Sequence, residues 1–158
     1  MNREYGLELT LIEDRMMDLL RPRYPTVVAH VGYDLRAECE LIYAQRNLTP
    51  PPLDWISFSF PSKDMWDAHV GVVLSSVGDR TRCRVGFHAS SPLWSEAAET
   101  LRTLPWPRPK DAHGFSFMPE ADEWQLVEEF EFPALDDAQL RHLTDSATAY
   151  YGVASVLL

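Results

Sequence analysis

Cysteine is nearly missing from this sequence. Only Cys39 and Cys83 occur in 158 residues, each on a predicted apolar face, which points to reduced core thiols rather than a disulfide framework or a cysteine metal site. Basic residues are outnumbered as well: 14 Lys and Arg against 24 Asp and Glu leave a formal net charge of −10 and a pI near 4.8. An acidic surface is repelled by phosphate backbones and anionic lipid, so nucleic acid and membrane are excluded as bulk partners and a basic partner protein is favoured. No apolar run approaches the roughly 18 residues of a membrane span. The opening residues, MNREYGLELT, place charges where a secretory leader needs an apolar stretch, so a cytoplasmic location is expected. Catalytic signatures are absent too: there is no G-x-S-x-G, S-x-x-K, Walker loop, H-E-x-x-H or C-x-x-C. No cofactor is expected, and the reading leans to a protein that is not an enzyme.

What is present is enough for one core. With 46% apolar composition, the chain fits a single domain over 1–158. Its most legible stretch runs from Asp67 to Ala89, where Gly78-Asp79 reads as a two-residue primed turn. That turn sets Val70 opposite Phe87, Val72 opposite Val85 and Leu74 opposite Cys83, all on one face. The other face then collects His69 opposite His88, Gly71 opposite Gly86, Val73 opposite Arg84 and Ser75 opposite Arg82. A slip of one residue would mix the two sets.

Leu9, Ile12, Met16 and Leu19 recur at helical spacing and predict a helix from about Glu8 to Leu20, stopped by Pro22. The segment that follows is ambiguous: Pro25 can open a helical turn, Thr26 to Val31 is β-branched enough for a strand, and helix is preferred. Asp34 suits an N-cap for a helix through about Arg46, with Leu35, Cys39, Ile42 and Tyr43 inward. Thr49 to Pro52 reads as an extended connector. In residues 54–60, Ile56, Phe58 and Phe60 alternate with Trp55, Ser57 and Ser59, as in a half-buried strand. Ser91 before Pro92 reads as the cap of a helix carrying Trp94, Ala97, Ala98 and Leu101 inward, ended by Leu104-Pro-Trp-Pro107. Residues 108–120 read as loop with a possible short strand at 113–117. In EWQLVEEFEF (123–132), Trp124, Leu126, Phe130 and Phe132 share a strand phase with Glu128, a misfit that calls for a bulge, an edge, or a buried cation. Asp136 with Gln139 resembles a capping box, opening a helix through Leu140, Leu143, Ala147 and Tyr150 to Gly152. The apolar tail after it should dock, as a strand or otherwise.

DRMMDLLRPRYPTVV, YAQRNLTPPPLDWISF at 43–58 and AHVGVVL at 68–74 together resemble the YktB-like family of bacterial proteins. Its members have an R-M helix followed by R-P-K, an N-P-P segment before a Trp strand, and an H-F-x-I-G-L strand. Arg15, Met16, Arg21, Pro22, Arg46, Pro50, Pro51, Trp55 and His69 stand at the matching positions. The resemblance covers about the first half of the chain. It departs from the family where His and paired Arg precede the prolines: Tyr43, Gln45 and a single Arg46 stand there instead. It implies an α+β fold with an antiparallel sheet and helices packed on one face, the same fold class the residue patterns give.

Two surfaces stand out as functional candidates. His69, His88, Arg82 and Arg84 share one face of the hairpin, with Gly71 and Gly86 leaving room, and suit a small anion; the two histidines with Asp67 or Glu128 would make a metal site, but paired surface histidines without metal are commoner, and no metal is assigned. The second candidate is the acidic run. From Asp111 to Leu140 there are nine acidic residues and no Lys or Arg, and Glu120, Asp122, Glu123, Glu128, Glu129 and Glu131, with Trp106 and Trp124 as aromatic anchors, form a candidate docking edge for a basic partner. The expected function is an acidic, non-enzymatic inhibitor or immunity-type module. The alternative is an anion-binding protein or enzyme built on the His/Arg face.

Overall fold

The computed structural model describes residues 5–45, 47, 54–61, 63–107, 115–120 and 123–158, with Cys39, 115–120 and 123–125 described at the backbone only. Helix α1 (Gly6–Leu20) buries Leu9, Ile12, Met16, Met17 and Leu20. Leu19 is half-buried, because the apolar stripe drifts round the helix and Leu20 takes the inner position. Residues Val28–Val31 then form strand β1, which corrects the preference for helix. Four backbone pairings to β2 (Trp55–Ser59) and a β-branched run outweigh the helical turn that Pro25 offers. A 3-10 turn (Gly32–Leu35) leads into α2 (Arg36–Gln45), so Asp34 lies within that turn instead of capping the helix. The proline connector at 49–52 lies outside the described residues.

Strands β3 (Ala68–Val77) and β4 (Arg80–Ser90) make the hairpin in the register read from sequence, Val77 opposite Arg80 through to His69 opposite His88. Gly78 has φ of +62°, the only positive φ of the two turn residues; this is the pattern of a type II′ turn, whose first central position calls for glycine. Helix α3 (Ser91–Thr103) is capped by Ser90, one residue earlier than predicted, whose side chain accepts from the Leu93 amide. β5 (Phe115–Glu120) and β6 (Glu123–Phe132) follow, and α4 (Asp137–Ser155) closes the chain. That last helix runs through Gly152 and takes in the start of the tail, which continues as helix and not as strand.

The strands form one six-stranded antiparallel sheet in the order β1-β2-β3-β4-β6-β5, an α+β domain of the class read from sequence. One face carries Ile56, Phe58, Val70, Val72, Leu74, Val85, Phe87, Leu126 and Phe130 into a core with α1, α4 and the inner residues of α3, Trp94 and Leu101. Tyr5 bolts the start of α1 to the hairpin tip, its hydroxyl 3.0 Å from Ser76 Oγ and 3.2 Å from Thr81 Oγ1. Tyr151 of α4 reaches across the sheet to donate to the Ser59 carbonyl at 2.9 Å, and its ring stacks on Phe60 at 4.5 Å. Cys83 lies in this core as a free thiol, pushed up to about 12 by burial and so inert at neutral pH.

Candidate functional site

The second face of the sheet is where the sequence placed its histidines and arginines. Trp55, Ser57 and Ser59 on β2 are buried here too, so β2 is covered on both faces and not half-buried. A small cluster of Trp55 and Met65, with Leu35, Trp66 and Val73 packed against it, supplies part of that cover.

His69 and His88 meet as the register requires. Their rings stack with centroids 4.6 Å apart and planes within 14°, and His88 is 6% exposed. His69 Nδ1 lies 2.7 Å from the Met65 carbonyl; a carbonyl only accepts, so this nitrogen carries the hydrogen. Near-parallel rings hold their in-plane lone pairs side by side, which does not converge them on one ion. Among the described residues no three His, Cys, Asp or Glu side chains are grouped to hold a metal. The arginines are engaged from the neighbouring strand: Arg82 Nη2 lies 2.9 Å from Glu131 Oε1 and Arg84 Nη2 2.7 Å from Glu129 Oε1. Arg80 adds a longer contact to Glu131, 3.8 Å. The pairing of β4 with β6 sets these charges opposite one another, so the cations proposed for an anion serve the protein's own carboxylates.

The same ladder takes apart the acidic run. Glu129 and Glu131 are its arginine-paired members, while Glu128, opposite Val85, turns to the core and is 0% exposed. Trp106 is in the core as well, 8% exposed, its ring stacked on Phe87 at 5.2 Å and its indole nitrogen donating to the Leu101 carbonyl at 2.7 Å. Neither Glu128 nor Trp106 lies on a surface where a partner would meet it. Glu120, Glu123 and Trp124 are strand residues of β5 and β6 described by backbone alone, and Asp122 lies outside the described residues.

A different group of polar residues comes together beyond β1, where sequence reading placed no site. A cavity of about 400 Å³ opens there, with Val28, His30, Glu38, Asp64, Met65 and Trp66 in its lining, together with Lys63. Trp66 is held at both ends: its backbone amide donates to Asp64 Oδ1 at 2.9 Å and its indole Nε1 to Glu38 Oε1 at 2.7 Å. Nearby, Tyr33 donates to Asp54 at 2.8 Å. His30 Nε2 sits 3.3 Å from Ser59 Oγ. Burial lowers the His30 pKa, with Asp64 and then Glu38 pulling the other way, so its ring is neutral at pH 7. Ser59 Oγ also reaches the Val28 carbonyl at 3.4 Å, and no carboxylate bonds the other His30 nitrogen among the described residues. Among the described residues that pair has no third group orienting His30 as the base of a nucleophilic site. The arrangement suits recognition. Asp64 in a turn two residues before a Trp was a local signal for part of it; His30 was hidden by the preference for helix over 26–31.

No family model, curated protein or solved structure matches the chain.

Proposed function

We propose that the chain is a non-enzymatic acidic binding module, of the inhibitor or immunity type, which masks a basic site on a partner protein by taking a basic side chain into the cavity beside β1. The observation that carries this reading is the fixing of Trp66 between two exposed carboxylates, Glu38 and Asp64. Each spends one oxygen on Trp66, and the second oxygen of each makes no bond among the described residues. An indole wall flanked by free carboxylate oxygens suits a guanidinium or ammonium group, through cation–π contact and charge-assisted hydrogen bonds. A net charge of −10 would draw such a partner in from a distance. The acidic run of β6 contributes less than its composition suggests, because Glu129 and Glu131 already neutralise Arg84 and Arg82.

A hexa-arginine peptide is the probe. Its affinity should fall at least fivefold in Glu38→Gln/Asp64→Asn and less than twofold in Asp14→Asn/Asp18→Asn, which removes the same charge from α1. Equal losses in the two variants would reduce the effect to bulk charge and end the reading.

A further inference from the structure

Glu128 is the one acidic side chain buried in the core on the described residues, and nothing in the proposed binding role uses it. It stands on β6 with Val85 of β4 on one side and Phe115 of β5 on the other, and the ladder runs through it without a bulge. Facing it from α4 is Tyr150, whose hydroxyl oxygen lies 2.8 Å from Glu128 Oε1. The same oxygen lies 3.3 Å from the carbonyl of Pro107. Glu128 Oε2 has no hydrogen-bond partner among the described residues, and no charged group there pairs with the carboxyl. His142, also on α4, packs edge-on against Phe130 instead.

The hydrogen count is decisive. A tyrosine hydroxyl has one proton to give, and these two oxygens, Glu128 Oε1 and the Pro107 carbonyl, are both acceptors if Glu128 is ionised. Only one of the two contacts is then a hydrogen bond, and a charge sits fully buried with Oε2 unpartnered among the described residues. If Glu128 is protonated, both contacts are satisfied: the carboxyl donates to Tyr150, and Tyr150 donates to Pro107. The Pro107 carbonyl belongs to the strap at 104–107, whose Trp106 ring lies between Phe87 and Tyr150, 5.2 and 5.9 Å from their centroids.

We propose that Glu128 and Tyr150 form a proton-gated latch that holds this strap onto the sheet. With the carboxyl protonated, the relay from Glu128 through Tyr150 to Pro107 is complete and Trp106 is clamped. When Glu128 gives its proton to solvent, Tyr150 turns its own proton to the carboxylate, the Pro107 carbonyl loses its donor, and the strap loosens so that water can reach Oε2. Burial also pushes the Glu128 pKa up to about 7, against the opposing hydrogen bond from Tyr150, which puts the change near neutrality.

Two resonances of the intact protein test this. The Trp106 indole N–H, assigned by Trp106→Phe, should shift with pH along a curve whose midpoint lies between 6 and 8. In Glu128→Gln, which stays neutral, that titration should vanish; in Tyr150→Phe the indole should resemble the high-pH form throughout. The Glu128 side-chain carbon of the unmodified protein, read directly, should titrate with the same midpoint, and this holds whether or not the variants fold. A Glu128 carbon titrating near 4.5, or a Trp106 signal that is flat from pH 5 to 9, would overturn the latch.

Discussion

Close approach of backbones makes Gly86 the least replaceable residue of the hairpin. A β-carbon built there would intrude on the Leu126 carbonyl oxygen and come within 2.7 Å of Val127 Cα, and neither backbone atom can move without breaking the β4–β6 ladder. Gly86→Ala should cost about 2 kcal/mol or more in urea unfolding, as overpacked cores do. Gly71, its partner across the hairpin, meets only imidazole atoms, the nearest at 3.3 Å. The sequence shows both glycines opposite one another but not this difference, because β6 lies some 40 residues further on and its register against β4 is not encoded in a short turn. Glu128 teaches the same lesson: its phase was legible as a misfit in an apolar strand, while its cause, a hydroxyl on α4, was not.

Among the elements, the hairpin and the start of α4 were read correctly from local instructions, whereas β1 was not, and Asp34, a good cap by residue type, was drawn into the 3-10 turn. The capping box of α4 is present in both directions, Gln139 N to Asp136 Oδ1 and Asp136 N to Gln139 Oε1, each 3.0 Å. Asp136→Ala should therefore cost about 1 kcal/mol of stability, measurable as a lowered urea midpoint with an unchanged slope. The hairpin register followed from two turn residues. β1 had no such signal, since its strand character comes from pairing with β2, about 30 residues away in the chain. The cavity beside it draws on β1, β2, α2 and the residues from Lys63 to Trp66, which is why His30 and Trp66 were not joined from sequence. The arginine–glutamate ladder between β4 and β6 is partly solvent-exposed and should contribute below about 1 kcal/mol per pair. It matters for neutralising charge more than for holding the sheet.

At the scale of the whole molecule, acidity and one buried carboxyl act in the same direction. The folded chain holds the Glu128 proton up to a pH of about 7, against an ordinary value of 4.5, so the native state binds more protons than the unfolded state between those limits. Stability from this group is complete below about pH 4.5 and is lost as pH rises through 7, by roughly 3 kcal/mol in all. Urea unfolding at pH 8 should show about 2 kcal/mol less stability than at pH 5.5 from this group, and Glu128→Gln should flatten that difference while leaving whatever the general excess of −10 contributes. Among the described residues no helix is long and apolar enough to cross a membrane.

The sheet order has a bearing on synthesis. β1, β2, β3 and β4 lie side by side in the order the ribosome makes them, so each new strand finds its neighbour already at hand. The oily underside of that growing meander, however, waits for Tyr150, Tyr151 and Leu143, which emerge last. A nascent chain stalled before residue 137 would thus display the part of that underside that α4 covers, and it is at that stage that a chaperone would find most to hold.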